Sequence, residues 1–480
     1  MAAAGTEIGT RAPQSHPSFA RSAVTVRRCS SMGAVRVLSA DWVLPVEGEP
    51  IEDGAVAIRD GRIEAIGRSS ELGRGEHHAG AAIIPGFVNA HTHLEYAVYA
   101  GFGDGLSFAP WLAMHMERKS RIGREEMEAI ARLGAAECLA SGVTTVGDAS
   151  FVGASAHACA DLGLRAIVYL EVFGRDPGQA LAQYREKLEY IRPALSERVR
   201  VGVSPHAPYS CTTEVYQACL SLDVPMMTHF NESADELDWL LRGEGPMKPV
   251  SHILVDPDGR TGIRRLADGG VLDQRIVAAH CVKVDGEEIE LLAHSDVAVV
   301  HCPRSNALLG CGVAPLAELR AAGLRVGVGT DGVSSVPSHD YFEELRAVIA
   351  GARARTERAD AMSPADALEL ATIGGARALG LDGETGSLVP GKQADLTVVS
   401  LSGSSYLPWE DPAAAVVYGG GPGRVDATLV GGQCRYRQQS RHEEGGFEWH
   451  ELIGAASRAR SRLLQREAGT DAAIAITAAQ

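Results

Sequence analysis

The sequence predicts an α/β protein in which a (β/α)₈ TIM barrel carries a small β-sandwich assembled from both ends of the chain. Between residues 86 and 385, eight short apolar runs alternate with helical patterns, which is the arrangement of a parallel α/β barrel. Outside this region, residues 33–85 and 386–436 contain short β-rich runs punctuated by glycine and proline. Such runs are typical of antiparallel strands, and we expect the two sets to form one composite β-sandwich.

Composition limits the classes of partner. The chain has 480 residues, 45% of them hydrophobic, which is enough to bury one large core or two smaller ones. Its formal net charge of −16 disfavours binding to nucleic acid and to anionic membranes, and favours a small neutral or cationic substrate. The 9 cysteines occur singly, without a CxxC pair. This pattern indicates the reducing cytoplasm, and no apolar run approaches the ~18 residues of a membrane span.

Both chain ends lie outside the two predicted domains. Residues 1–31 contain four arginines, several serines and a single acid, Glu7, a composition typical of organelle-targeting peptides. Met32 directly precedes the first strand-like run, so this segment is alternatively a disordered leader or an over-long start. The disordered leader is the interpretation we favour. Residues 437–480 are predicted to form a helical tail.

The predicted sandwich strands lie at residues 35–38, 55–58 and 62–67 near the beginning of the chain, and within 386–401 and 425–436 near its end. Two barrel helices have clear boundaries. One extends from Arg124 to Ser141 and stops at Gly142, where a left-handed cap is natural. The other begins at Ser363, with Pro364 in its first turn and Asp366 completing a capping box.

Polar residues occur where the predicted barrel strands end. The eight runs end at Asn89–His93, Gly147–Ala149, Glu171–Gly174, Ser204–His206, Thr228–Phe230, Ala279–Cys281, His301–Pro303 and Gly329–Asp331. Active residues of such barrels lie on the loops that follow the C-terminal ends of the strands. Nothing about barrel stability requires imidazoles at these positions, so we interpret these histidines as parts of one site.

Four of these residues are predicted to hold a metal ion. His91 and His93 are two residues apart on an extended segment, so their side chains leave the same face and can converge on one ion. His229 ends the fifth run and Asp331 the eighth. Three imidazoles and a carboxylate suit one catalytic divalent cation, which we expect to be zinc, with iron as the alternative. No lysine ends the fourth run, so a carboxylated lysine that bridges two metals has no evident donor.

Three further residues are predicted to act beside the metal. Glu232 lies three residues after His229 in THFNES, where a carboxylate that is not a ligand can act as general acid and base. Its alternative role is to stabilise the following helix through the helix dipole. His280, in VAAHC, is expected to orient the attacking water, with a neutral core imidazole as the alternative. His206, in SPHAPYS, is expected to contact the substrate.

Other polar and aromatic residues near the predicted strand ends have two interpretations. His301, Arg304, Ser305 and Asn306, in HCPRSN, either line the pocket or fix the loop after the seventh strand. Trp111 either covers the substrate or packs in the core. Our predicted substrate contacts are His206, Glu95 in the LE that follows the HTH triplet, Trp111, Arg304 and Asn306.

The motifs resemble those of a known family. PGFVNAHTHLE, SPHAPYS, THFNE, AAHC, HCPRSNALLG and GVGTDG stand here in the order and spacing of the amidohydrolase superfamily, specifically its cytosine-deaminase and chlorohydrolase-like branch. The resemblance covers residues 33–436. It implies a distorted barrel beside a composite sandwich. It also implies metal ligation by His91, His93, His229 and Asp331, and catalytic roles for Glu232, His280 and Asp331.

Within that branch, the LE pair, the GEGP at 243–246 and CPRSNALLG resemble aminodeoxyfutalosine deaminases most, and S-adenosylhomocysteine and methylthioadenosine deaminases next. The latter carry a Pro-x-Glu element after the WL pair, where this chain has WLAMHMERKS. The resemblance implies a metal-dependent deaminase of a purine base or adenosine derivative that releases ammonia. Alternatives are a guanine or cytosine deaminase, a triazine chlorohydrolase, a cyclic amidase and, remotely, a barrel scaffold without catalysis. The oligomeric state stays open, with a homo-oligomer among the options.

Overall fold

The computed structural model describes residues 33–403, 409–438 and 448–464. The predicted leader, residues 1–31, lies outside this range, as do parts of the predicted tail. Within the described part, no helix combines the length and apolar character needed to cross a membrane.

Two sheets organise the chain. Their strands are β1 (Arg36–Val43), β2 (Ile51–Arg59), β3 (Arg62–Arg68), β4 (Glu76–Pro85), β5 (Phe87–His93), β6 (Val143–Ser150), β7 (Arg165–Val172), β8 (Val199–Pro205), β9 (Met226–Phe230), β10 (Ile276–His280), β11 (Ala298–His301), β12 (Val326–Val328), β13 (Asp331–Gly332), β14 (Leu396–Ser400), β15 (Val425–Val430) and β16 (Gln433–Arg437).

The first sheet joins the two ends of the chain. Its seven strands lie in the order β16-β15-β14-β4-β1-β2-β3, and the β4–β14 ladder places Ile83 beside Val398. The predicted strands of both chain ends therefore share one hydrogen-bonded sheet. Its neighbours are antiparallel except for β1 and β4, which run parallel. Alternate residues such as Leu38 and Leu429 are fully buried in a core of their own.

The second sheet is the predicted barrel, and the structure confirms it. Its strands run parallel in the order β12-β11-β10-β9-β8-β7-β6-β5-β13. The eighth barrel strand is broken, because β12 pairs with β11 while β13, two residues further along the chain, pairs with β5. The two edges of this sheet, β12 and β13, are consecutive pieces of one chain segment, separated by Gly329 and Thr330. The interruption between these two pieces distorts the barrel. It also places Asp331 opposite Thr92, between the two histidines of the HTH triplet.

The helices are α1 (Ser69–Leu72), α2 (Phe108–Lys119), α3 (Arg124–Ala140), α4 (Ala154–Leu162), α5 (Pro177–Ile191), α6 (Thr213–Leu220), α7 (Ala234–Arg242), α8 (Gly262–Asp268), α9 (Gly286–His294), α10 (Pro303–Leu308), α11 (Leu316–Ala321), α12 (Tyr341–Thr356), α13 (Pro364–Glu369), α14 (Gly375–Leu379), α15 (Pro412–Gly419) and α16 (Trp449–Leu464). A π-helix, Leu370–Gly374, links α13 to α14, and short 3₁₀ segments lie at Leu94–Tyr96, Arg192–Ala194, Lys248–Ile253 and Pro422–Arg424.

Both helix boundaries predicted from the sequence are confirmed. Helix α3 is capped by Ser141, and the following Gly142 has a φ of +83°, which favours glycine. At the start of α13, the hydroxyl of Ser363 accepts from the backbone N–H of Asp366. In return, the side chain of Asp366 accepts from the backbone N–H of Ser363. These capping residues are clear in the sequence because helix ends leave backbone N–H and C=O groups unpaired, and only certain residue types can satisfy them.

A buried ion pair connects the barrel to the composite sheet. Arg165, on β7, donates from Nε and Nη2 to the two oxygens of Asp395, at 2.7 and 3.2 Å. Asp395 immediately precedes β14 and also accepts from the backbone of Gly431 at 2.7 Å. Both charged side chains are nearly fully buried, so the pairing and the extra hydrogen bond offset their loss of hydration. The N-terminal end of the barrel is thereby fixed to the smaller sheet.

Candidate active site

The HTH triplet places two imidazoles at the C-terminal end of β5. His91 is fully buried and His93 is 7% exposed. The Nε2 atoms of His91 and His93 lie 3.6 and 3.4 Å from Oδ1 of Asp331, respectively. This convergence follows from the register in which β13 joins β5. It is the geometry expected when alternate residues of one strand face a single centre.

The third imidazole comes from β9. The Nε2 of His229 lies 3.4 Å from the Nε2 of His93, and the two rings are nearly parallel, with an interplanar angle of 4°. The structure therefore brings together the four residues that the sequence predicts as ligands. We call His91, His93, His229 and Asp331 the metal wall.

The opposite ring nitrogens fix the orientation of these imidazoles. His93 Nδ1 lies 2.8 Å from the carbonyl oxygen of Ala149, and His229 Nδ1 lies 2.7 Å from that of His206. A carbonyl can only accept, so both Nδ1 atoms carry the proton and both Nε2 atoms present lone pairs. Such backbone bonds are the usual supports of histidines that bind metal.

Two observations show that these residues fit a cation. His91 Nε2 is buried and has no hydrogen-bond partner within the described ranges. A tetrahedral site with metal–nitrogen bonds of 2.0–2.1 Å separates its ligand atoms by about 3.4 Å. The separations of 3.4–3.6 Å among these donor atoms agree with that value. One buried carboxylate among three imidazoles matches the donor set of zinc or ferrous sites.

Asp331 is held by several donors. Its Oδ2 accepts from the hydroxyls of Ser305 and Ser335 at 2.7 and 2.9 Å, and its Oδ1 accepts from the backbone N–H of Gly332 at 2.7 Å. Burial alone would raise the pKa of this carboxyl, but the nearby imidazoles of His91, His93 and His280 lower it well below its ordinary value. Asp331 is therefore a charged, rigidly oriented group.

Glu232 lies in the loop after β9 and faces the same centre. Its carboxyl is 5% exposed, and its Oε2 lies 3.6 Å from Nε2 of His280. The loop is fixed because the backbone N–H of Glu232 donates to Glu236 at 2.8 Å. Burial, with the charges of Asp331 and Glu236 added, raises the pKa of Glu232 well above its ordinary value. A carboxyl of this kind can hold and return a proton.

His280 ends β10 and is oriented by Asn306. The Nδ1 atom lies 2.9 Å from Oδ1 of Asn306, so that ring nitrogen is the donor and Nε2, which faces Glu232, is the acceptor. Burial lowers the pKa of His280, although Asp331 opposes that shift. The predicted substrate contact Asn306 thus contacts His280 directly, and its role in the structure is to position that imidazole.

Two of the predicted substrate contacts line the cavity in front of the metal wall. His206 bonds through Nδ1 to the hydroxyl of Ser210 at 2.9 Å, and its ring lies 4.9 Å from that of His229. Trp111 donates from its indole to the carbonyl of Ser334 at 2.7 Å. The space between the lining side chains, including its open mouth, measures about 460 Å³.

Two other predicted contacts lie outside this lining. Glu95 is 1% exposed, and its oxygens accept from the hydroxyl of Ser150 and from the backbone N–H groups of Phe151, Val152 and Ala154. It therefore fixes the loop before α4.

Arg304 bonds to Glu343, Glu344 and the carbonyl of Ser338. Of the two roles weighed for Arg304, these contacts describe the one that fixes the loop after β11.

The remaining members of HCPRSN also have defined surroundings. Ser305 contacts Asp331, as described above. His301 is 1% exposed, and its Nδ1 has no hydrogen-bond partner in the described part of the chain. Burial and the nearby His280 lower the pKa of His301 to about 4, so this imidazole is neutral near neutral pH.

Beside the predicted Trp111, the structure adds cavity residues that the sequence did not identify, among them His115, Lys119 and Glu171. Trp111, His115 and Lys119 lie at intervals of four on α2, so they share one face of the helix, and the rings of Trp111 and His115 stack with centroids 5.4 Å apart. Glu171, at the end of β7, lines the same cavity. We call Trp111, His115, Lys119 and Glu171 the helix wall. The other lining residues not predicted from the sequence are Tyr96, Phe108, Leu112, Tyr209 and Ser334.

Comparison with known proteins places this geometry in context. Residues 82–435 match the model of the amidohydrolase family. A 5'-deoxyadenosine deaminase of Methanothermobacter thermautotrophicus is 32% identical over 400 residues, covering 81% of this chain and 90% of that protein. A 5-methylthioadenosine/S-adenosylhomocysteine deaminase of Symbiobacterium thermophilum is 34% identical over 424 residues, covering 83% and 93%.

Solved structures agree with this result. An adenosine deaminase from Xanthomonas campestris with bound zinc superposes with a TM-score of 0.79 at 28% identity, covering 89% of this chain and 98% of that one. Atrazine chlorohydrolase from Arthrobacter aurescens, complexed with zinc, has a TM-score of 0.74 at 22% identity, covering 89% and 99%. This second likeness concerns the fold alone.

Proposed function

The chain belongs to the amidohydrolase family, and from that premise we propose that it is a metal-dependent deaminase of adenosine derivatives modified at the 5' position. The observation that carries the proposal is the convergence of three imidazole Nε2 atoms and one carboxylate at separations of 3.4–3.6 Å, beside Glu232 and His280. The substrate class rests on relatives that are 32–34% identical over more than four fifths of this chain and are named for deaminating such nucleosides.

We propose that His91, His93, His229 and Asp331 together hold a single ion, and that this ion is zinc. The donor set and its spacing support one tetrahedral ion, and zinc is bound in the similar deaminase structure. A divalent cation at such a site lowers the pKa of water toward about 7 and so supplies a nucleophile at neutral pH. The hydrogen bonds behind His93, His229 and Asp331 support this assignment, because they hold those donor atoms in place before any ion binds.

Glu232 is assigned the proton transfers. Hydrolytic deamination adds water at the carbon that carries the amino group and releases ammonia, so a proton must leave the water and reach the ring nitrogen and then the leaving group. A carboxylate oxygen of Glu232 lies within 4.8 Å of ligand atoms of His280 and Asp331, and we assign Glu232 the role of the carboxyl that shuttles protons without binding the ion. His280 presents an unprotonated Nε2 3.6 Å from Glu232. It can therefore accept a hydrogen bond from the attacking water.

His206 and Trp111 are assigned to the substrate. The planar base must lie with its amino-bearing carbon against the metal wall, and His206 borders that position through its contact with His229. Trp111 offers an aromatic face whose orientation is fixed by its bond to Ser334. Stacking on aromatic faces is a general way to hold a purine.

The test is a panel assay. We expect the purified, zinc-loaded protein to release ammonia from 5'-deoxyadenosine, 5'-methylthioadenosine, S-adenosylhomocysteine or aminodeoxyfutalosine in preference to adenosine, guanine and cytosine. Release of chloride from a chlorinated triazine, or ring opening of a cyclic amide, would assign the chain to a different reaction of its family. Absence of ammonia from every adenosine derivative, with metal bound, would refute the proposal.

A further inference from the structure

The helix wall contains a carboxylate that the proposed chemistry does not use. Glu171 is the penultimate residue of β7, is 1% exposed and lines the cavity in front of the metal wall. Its Oε2 is buried without a hydrogen-bond partner in the described ranges. A buried carboxylate is strongly destabilised unless donors replace the lost water. This unsatisfied acceptor therefore requires an explanation.

The two nearby lysines do not supply the missing donor. Lys187 donates from Nζ to the backbone carbonyl of Glu171 at 2.6 Å, rather than to its carboxylate. Lys119 Nζ lies over the rings of Phe151 and Phe173, at 4.1 and 5.1 Å from their centroids. No ion pair links Glu171 to either lysine among the described residues. The lysines supply positive charge nearby while leaving the carboxylate oxygens without N–H donors.

The donor is then expected to come from the ligand. This step rests on the proposed function. The amino group of an adenosine derivative must face Glu232 and the metal wall, so its N–H groups are committed to the reaction. When the 5' position carries no hydroxyl, the remaining O–H donors of the nucleoside are the neighbouring 2' and 3' hydroxyls of the ribose. A carboxylate has acceptor sites enough for two such donors.

We propose that Glu171 binds the ribose hydroxyls of the substrate and makes the enzyme selective for ribonucleosides. Glu171 takes the position of a substrate-binding residue that the sequence did not reveal, on a barrel strand end where such residues occur. The chain lacks the Pro-x-Glu element after its WL pair, and α2 there carries His115 and Lys119 instead.

The first experiment uses the unaltered protein. We compare kcat/KM for 5'-deoxyadenosine with that for 2',5'-dideoxyadenosine and 3',5'-dideoxyadenosine. Loss of a hydrogen bond to a charged group is expected to lower kcat/KM by about 10- to 100-fold for at least one analogue. Equal values for all three nucleosides would overturn the inference. Absence of turnover for these three nucleosides and for every other adenosine derivative of the panel would instead contradict the proposed function, so the two failures are distinguishable.

The second experiment combines the analogues with Glu171→Gln. The substitution should lower kcat/KM for 5'-deoxyadenosine by about 10- to 100-fold and remove most of the discrimination against the deoxy analogues. Equal losses for every nucleoside would indicate a purely structural role and overturn the inference. Glu214→Gln, at an exposed glutamate of α6, is the matched control, and Glu171→Asp tests the role if the glutamine variant does not fold.

Two further measurements separate substrate binding from charge balance. If Glu171 only neutralises Lys119, adding Lys119→Met to Glu171→Gln should restore activity, and such rescue would overturn the inference. Binding is measured directly with Glu232→Gln, which should bind nucleosides without converting them. Calorimetry on that variant should give a weaker Kd for the 2'- or 3'-deoxy analogue than for 5'-deoxyadenosine. The same Kd for all of them would contradict the assignment.

Discussion

The two walls of one cavity are constructed differently. On the metal wall, Nδ1 of His93 and Nδ1 of His229 each donate to a backbone carbonyl. Asp331 is fixed there by two hydroxyls and a backbone N–H group. On the helix wall, Lys119 and Glu171 carry opposite charges that do not pair with each other. The contrast separates two tasks, because chemistry requires fixed atoms whereas substrate choice requires groups that remain available to a ligand.

The largest effect should follow from a change beside the metal wall. Glu232→Gln keeps the shape of the side chain and removes its ability to carry a proton. We expect the rate of ammonia release to fall by about 10²- to 10⁴-fold, with bound metal unchanged. Steady-state assays and metal analysis of the same preparation measure both quantities. The exposed Glu244→Gln serves as control, and a Glu232→Gln variant as active as the wild type would remove Glu232 from the mechanism.

A smaller effect, on metal affinity, should follow from a change at a residue that hydrogen-bonds to the metal wall. Ser335→Ala removes one of the two hydroxyls that orient Asp331. Such supporting bonds typically contribute about 10- to 100-fold to metal affinity or activity, and we expect the low end of this range because Ser305 remains. Competition for zinc with a chelating dye measures the affinity. Ser221→Ala, on the surface, should leave it unchanged, and the same result for Ser335→Ala would contradict the supporting role.

The smallest effect should appear on the helix wall. Trp111→Phe retains an aromatic ring and loses the indole bond to the carbonyl of Ser334. A lost neutral hydrogen bond is worth about 1 kcal/mol, so we expect KM to rise about 3- to 10-fold while kcat changes little. Initial-rate kinetics with the preferred nucleoside test this split. A large fall in kcat with an unchanged KM would place Trp111 among the residues that act in the transition state.

The difference between the walls also explains what could be predicted from the sequence. His91, His93, His229 and Asp331 stand at the ends of apolar runs, where the barrel pattern itself indicates that side chains converge. The fold and this set of residues could be inferred for that reason. The break of the eighth strand into β12 and β13 could not, because a short apolar run does not reveal which neighbour each of its halves pairs with.

Of the helix wall only Trp111 was predicted, and His115 and Lys119 were missed for a different physical reason. Helix α2 lies between β5 and the longer helix α3, in a segment that the barrel pattern does not specify. Its sequence is only weakly amphipathic, so the face that carries His115 and Lys119 gives no clear signal.

Glu95 was predicted as a substrate contact because it follows the HTH triplet. The partners that occupy its oxygens belong to the loop before α4, more than fifty residues away along the chain.

Metal content tests the central claim most directly. Elemental analysis of the purified protein should find one divalent ion per chain, and zinc added after chelation should restore both that ion and the release of ammonia. A variant with His91→Ala and Asp331→Ala should bind none and remain inactive. Full activity in protein freed of metal, or one ion per chain in this double variant, would contradict the assignment of these residues as a single catalytic metal site.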